Sequence, residues 1–118
     1  MRTRTLLTCA CTIILLFSGC LKEPGEVQLT CNVTSTTVGQ GVTFTITGAD
    51  HYTCVEWSGE SGPAYSIIAG GGNKDLTMQC RFNTTGRAGV HVKVRNCKKG
   101  GCDGRCNEAE ATLYLDVN

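Results

Sequence analysis

Cysteine offers this 118-residue chain its richest chemistry. Cys9 and Cys11 fall inside an apolar stretch near the start. Seven more follow: Cys20, Cys31, Cys54, Cys80, Cys97, Cys102 and Cys106. Thiols bind metal, act as nucleophiles or pair as disulfides, and spacing helps to separate these uses. Cys97, Cys102 and Cys106 are separated by four and then three residues. They lack the paired C-x2-C knuckles of common zinc sites, so no metal is expected there. Disulfides are the expected chemistry, and they place the chain outside the reducing cytoplasm.

Other reactive side chains are sparse. His51 and His91 are the two histidines, and no Gly-x-Ser-x-Gly, His-Glu-x-x-His or phosphate-cradling motif accompanies them. Gly70-Gly71-Gly72 has no Lys-Ser/Thr after it and reads as a turn. Glu56, Glu60, Asp103, Glu108 and Glu110 show no pairing suited to acid–base catalysis. The expectation is therefore a protein that is not an enzyme and takes no cofactor. Two sequons, Asn32-Val33-Thr34 and Asn83-Thr84-Thr85, make Asn32 and Asn83 candidate glycosylation sites. The segment Lys98-Lys99-Gly100-Gly101-Cys102-Asp103-Gly104-Arg105-Cys106 is charged and cysteine-braced. Loops held on rigid scaffolds often carry binding, so Lys98, Lys99, Asp103 and Arg105 form a candidate contact loop. A solvated hairpin tip merely held in place is the competing reading.

These residues need elements to position them. Arg2 and Arg4 precede an apolar run from Leu6 to Phe17. Crossing a bilayer takes about 20 apolar residues, so the run reads as the core of an export signal covering 1–19. Removing Arg2 and Arg4 from eleven Lys and Arg leaves nine against ten Asp and Glu, a formal charge of −1. That balance gives no reason to expect a nucleic-acid partner. Residues 20–26 are short, polar and broken by Pro24-Gly25, as in a tether. From residue 27 to 118 the apolar residues repeat with period two, the signature of strands buried on one face. Val27, Leu29, Cys31 and Val33 begin the series, followed by Val42, Phe44 and Ile46. Val55 and Trp57 come next. Ala64 to Ala69 reads as a weak edge strand. Leu76, Met78, Cys80 and Phe82, then Val90, Val92 and Val94, then Ala109 to Val117 complete it. The expectation is a single all-β domain of about seven short strands.

Two family resemblances follow. Leu16-Phe17-Ser18-Gly19-Cys20 resembles the lipobox of prokaryotic lipoproteins. It implies a thioether lipid with palmitate on Cys20, and a protein held at the cell membrane facing the periplasm or cell exterior. Ordinary signal cleavage near Gly19, with Cys20 in a disulfide, is the alternative. Lipid on Cys20 would leave six cysteines, an even number able to pair fully. Cys54-Val55-Glu56-Trp57-Ser58-Gly59, and Arg81 to Val94 with its aromatic, glycine turn and valine strand, are similar to immunoglobulin-like and PKD-like β-sandwich domains of cell-surface proteins. This implies an immunoglobulin-like β-sandwich over about residues 27–117.

Strand parity turns Cys31 and Cys80 inward, which predicts a Cys31–Cys80 bridge. Cys54 and Cys97 point outward on strands that such a sandwich makes antiparallel neighbours. The resemblance therefore implies Cys54–Cys97, leaving Cys102–Cys106. Cys97–Cys106 with Cys54–Cys102 is the rival scheme. The functional expectation is a membrane-anchored, non-catalytic interaction or adhesion module that meets a protein or glycan at the cell surface. A structural envelope or filament subunit is one alternative. A secreted protease inhibitor or glycoprotein without a lipid anchor is another.

Overall fold

The computed structural model describes residues 21–118. The expected signal at 1–19 and the lipid site at Cys20 lie outside the described residues. The chain is all-β and forms two four-stranded sheets. The first has the order β1 (Gln28–Cys31), β3 (Gly41–Thr47), β6 (Thr77–Phe82), β5 (Tyr65–Gly70). The second has the order β2 (Ser35–Thr36), β8 (Cys106–Val117), β7 (Gly86–Cys97), β4 (Cys54–Ser61). Every pairing is antiparallel except β2 with β8, which is parallel. The chain therefore leaves the first sheet after β1 and touches the second at β2 before returning.

Period-two alternation decides what is buried. Val42, Phe44 and Ile46 of β3, with Met78, Cys80 and Phe82 of β6, line the first sheet's inner face. Val90, Val92 and Val94 of β7, with Leu115 and Val117 of β8, line the second. Residues of both sheets join one apolar core, with Trp57 and Tyr65 packed at its margin. Phe82 stands edge-on to Phe44 and Tyr65, with ring centroids 6.4 and 5.9 Å apart, an arrangement favoured by the ring quadrupoles. The weak strand expected at Ala64–Ala69 is present as β5, at the edge of its sheet.

The strands define two ends of the domain. Cys97, Cys106 and Cys54 mark one, because Cys97 lies opposite Cys106 and Cys54 lies opposite Arg95. We call this the cystine end. Gly86 opposite Val117, with the turns around Val38 and Asn83, marks the far end.

The N-terminal segment is folded onto the cystine end. Pro24 is fully buried, and its carbonyl accepts from the amides of Asp50 (2.6 Å) and His51 (3.2 Å). Asn107 Nδ2 donates to the Leu21 carbonyl at 2.6 Å, and Asn96 Nδ2 to the Lys22 carbonyl at 2.9 Å. Asn96 and Asn107 are direct cross-strand partners in phase with inward-facing Val94 and Ala109. Residues 21–25 thus close this end of the core.

Phe44→Ala removes a fully buried ring and should cost about 3–5 kcal/mol, read as a lower urea midpoint. Ile67→Ala, at a position 52% exposed, should change stability by no more than about 0.5 kcal/mol. Similar losses at both positions would contradict this core.

Candidate functional site

The side chains with reactive or charged groups gather in two places: the cystine end and the outer face of the second sheet. The cystine end is built on the β7–β8 hairpin. Cys97 and Cys106 are directly opposed and form a disulfide. A second disulfide joins Cys54 on β4 to Cys102 in the loop, with Cα atoms 5.2 Å apart. Folding the loop back over the strands requires left-handed backbone at Gly100 (φ 75°) and Gly101 (φ 59°), which glycine adopts without penalty. Thr53 fastens the arrangement. Its hydroxyl accepts from the Cys97 amide at 2.8 Å and donates to the Gly101 carbonyl at 2.7 Å. Lys74 Nζ reaches the Thr53 carbonyl at 2.6 Å, tying in the turn before β6.

This pairing corrects all three expected bridges. Cys54–Cys97 is replaced because Cys97 faces Cys106 in register, while Cys54 faces Arg95 and is only a diagonal neighbour of Cys97. Cys102–Cys106 is replaced because the loop carries Cys102 across to Cys54. The rival scheme is the one observed. Cys31 and Cys80 are free thiols. Both turn inward as expected, but they sit in one sheet on the strands flanking β3, opposite Phe44 and Val42 respectively. Two strand spacings separate them, about 10 Å, beyond the roughly 7 Å that a disulfide spans. With two thiols unpaired, the even count left by lipid on Cys20 no longer argues for that lipid.

Burial sets the chemistry of these thiols. Cys80 is fully buried, and burial, with the neighbouring Cys31, pushes its thiol up to about 11. Burial also raises Cys31, against amides of Val33 and Asn32 that act to lower it. Both are thus poor nucleophiles at neutral pH.

The candidate contact loop lies at the cystine end. Lys98, Lys99, Asp103 and Arg105 are all exposed there. The Lys98 amide donates to the Arg105 carbonyl at 2.9 Å, which closes the loop's neck. Asn32 and Asn83 are exposed as well. The Asn32 carboxamide oxygen accepts from the Thr43 amide at 2.9 Å, and Asn83 exchanges hydrogen bonds with Ser66.

On the outer face of the second sheet the strands bring together charges that lie far apart in sequence. Arg95 bridges Glu56 (3.0 Å) and Glu108 (2.8 Å), the latter its cross-strand partner. His91 Nε2 meets Glu110 at 2.9 Å, and Nδ1 meets the Thr112 hydroxyl at 2.8 Å. A neutral imidazole that donates from Nε2 and accepts at Nδ1 satisfies both contacts. Thr112, His91 and Glu110 thus resemble a nucleophile, base and orienting carboxylate in sequence of contact. Glu60 Oε1 lies 3.9 Å from Nδ1, so a second carboxylate borders the imidazole. The cluster is better described as a cross-strand ladder that fixes register. A shallow cleft at the β4–β5 turn is lined by Glu60, Pro63 and Tyr65 among others from that one turn.

Strand parity in the sequence turned His91 outward and glycine-rich composition marked the loop, but neither pointed to the roles of Asn96, Asn107 and Thr53. One signal for the asparagines is present: Asn-Cys at 96–97 mirrors Cys-Asn at 106–107, so pairing the cysteines necessarily pairs the asparagines. Set against models of protein families, curated proteins and solved structures, the chain matches none.

A non-reducing peptide map should join Cys54 to Cys102 and Cys97 to Cys106, while fully buried Cys80 alkylates only after denaturation and half-buried Cys31 reacts sooner. The raised Cys80 thiol also gives a pH signature. The thiol ionises near 9.0 in the unfolded chain and near 11 in the folded one. Stability should therefore hold below about pH 9 and fall between pH 9 and 11, by about 2–3 kcal/mol over the window. Cys80→Ala should flatten that part of the profile, and an unchanged slope would refute the assignment.

Proposed function

We propose that the chain is an exported protein anchored to a membrane by lipid on Cys20, whose domain is a non-catalytic, immunoglobulin-like interaction module. The observation that carries this reading is the disulfide-braced β domain whose packing begins at Leu21, the residue after the lipobox-like Ser18-Gly19-Cys20. Disulfides persist in oxidising compartments, which fits the export-type segment at 1–19. The strand orders support the fold type. Read with β1 as strand A and β2 as its continuation, β1-β3-β6-β5 corresponds to A-B-E-D, and β8-β7-β4 to G-F-C, as in immunoglobulin domains. Trp57 then occupies strand C and packs against the core, as that fold's tryptophan does. The two disulfides lie at one end of the domain, not between the sheets at strands B and F.

The charged ladder of β4, β7 and β8, with its carboxylates engaged by Arg95 and His91, fits a recognition or structural face better than a catalytic one. A protein or glycan at the cell surface remains the partner class for this module.

Intact mass of the membrane fraction, with peptide mapping, decides the anchor. The expected result is a mature N-terminus at Cys20 carrying thioether lipid. A soluble protein with unmodified Cys20, or Cys20 in a disulfide, overturns the anchor.

A specific feature favours assembly as a second reading. β5 is a sheet edge, carries no charged residue and exposes Ile67 and Ile68. Natural proteins usually protect such edges with charge or bulges; β5 has an irregularity of register between Ile67 and Ala69 but no charge, which leaves it open to strand pairing with another chain. Concentration-dependent self-association in analytical ultracentrifugation, abolished by Ile67→Lys, is the expected result under this reading. A monomer at every concentration overturns it.

A further inference from the structure

We infer that the cystine end of the domain, with its Lys98–Arg105 loop, faces the lipid surface and takes anionic headgroup phosphates as its ligand, leaving the far end turned away from the membrane. The inference rests on the proposed lipid at Cys20 and adds what that anchor does to the domain's orientation.

The geometry comes from the strap formed by residues 21–25. Leu21 and Lys22 are held by the Asn107 and Asn96 carboxamides. Those asparagines form the cross-strand pair next to the Cys97–Cys106 pair at the hairpin tip. Pro24, buried and bonded to Asp50 and His51, prevents the strap from swinging away. A peptide bond joins Cys20 to Leu21, and consecutive Cα atoms are about 3.8 Å apart. A chain fixed at Leu21 therefore delivers any lipid on Cys20 from the cystine end. Residues 21–25 leave no slack with which the domain could turn over.

The loop, rather than the whole end, suits a phosphate layer. From residue 98 to 105 it carries Lys98, Lys99 and Arg105 against the single carboxylate of Asp103, whereas around it exposed Lys22 and Lys74 are offset by exposed Glu23, Asp50 and Asp75. Lys98 and Lys99 are exposed. Two disulfides and Thr53 hold the loop in place, so little ordering entropy is lost when its lysines meet the headgroups. Each lysine near an anionic leaflet strengthens attachment by roughly five-fold, an effect that salt screens. The candidate contact loop read from sequence is thereby assigned to lipid. Protein or glycan partners are left the far end and the outer face of the second sheet.

The test uses the full-length acylated protein in vesicles of phosphatidylglycerol and phosphatidylcholine containing bromine-labelled acyl chains. Asp103→Trp places a quenchable indole on the loop while keeping all three cations. Val38→Trp places one at the far end, where Val38 is exposed. Trp57 gives a common background. Intact mass is taken before reconstitution, so absence of acyl at Cys20 identifies failure of the anchor itself. With acyl present, the added Asp103→Trp signal should be quenched several-fold more than the Val38→Trp signal. Equal quenching, or stronger quenching at Val38→Trp, overturns the orientation. Adding Lys98→Gln and Lys99→Gln to Asp103→Trp should reduce quenching in anionic vesicles, and loss of the same increment in high salt is expected for the parent. Quenching indifferent to lysines, salt and phosphatidylglycerol content overturns the phosphate ligand. Asn96→Ala and Asn107→Ala, combined with Pro24→Gly to release the buried ring, free the strap and should bring the two probes closer together. An undiminished difference in that variant, with the fold intact by circular dichroism, overturns the strap as the orienting device.

Discussion

The twelve-residue pairing of β7 with β8 is the interaction on which the rest of this molecule depends. From Gly86 opposite Val117 to Cys97 opposite Cys106 the register runs without interruption. It places Ala88, Val90, Val92 and Val94 on the core face and His91, Lys93 and Arg95 on the outer face. β4 adds to one side of the hairpin and β2 to the other. A slip of one residue would exchange the two faces, exposing four valine and alanine side chains and burying three basic ones. The ion pair of Arg95 with Glu108 and the contact of His91 with Glu110 oppose such a slip, because each matches only in this register. Exposed ion pairs contribute little to stability, typically about 0–1 kcal/mol. Their value here lies in selecting one register among several that bury similar apolar area.

The two disulfides act on this hairpin at different scales. Cys97–Cys106 spans a sequence separation of 9 and Cys54–Cys102 one of 48. By loop-closure entropy the longer link restricts the unfolded chain more, by about 1.5 kcal/mol. The shorter link is the more local device, since it clamps a tip that the register has already formed. Together with Thr53 they turn a glycine-rich segment into a fixed surface. Cys54 and Cys97 point away from the core and are nonetheless buried, because that segment folds over them.

Much of the architecture was legible because a strand has a period of two. The alternation at Val42-Phe44-Ile46 and at Val90-Val92-Val94 told which side of each strand is buried, and β5 was visible as a weak edge. Parity fixes a face but not a sheet, which is why it misled at the cysteines. Cys31 and Cys80 do turn inward, yet both belong to the sheet containing β3, and nothing local to either residue records that. Pro24-Gly25 resembles punctuation between a tether and a domain. Its burial depends on amides at Asp50 and His51, contributed by a turn some 25 residues later. The contacts of His91 were hidden for the same reason: Glu60 and Glu110 reach it from two other strands.

The N-terminal strap changes how the ends of the domain should be weighed. In an immunoglobulin-like frame the β3–β4, β5–β6 and β7–β8 connections gather at one end, the end that variable domains use for recognition. In this chain the same end is occupied: Pro24 fills the core opening, Asn96 and Asn107 hold the entering backbone, and Thr53 and Lys74 draw the three connections together. Such an end is rigid and is tied to the point where the chain enters the domain. The surfaces that keep free backbone or apolar side chains lie elsewhere, along β5 with Ile67 and Ile68 and at the turn bearing Val38. The β7–β8 ladder runs the length of the domain and fixes the distance between the end where the chain enters and the end that bears Val38.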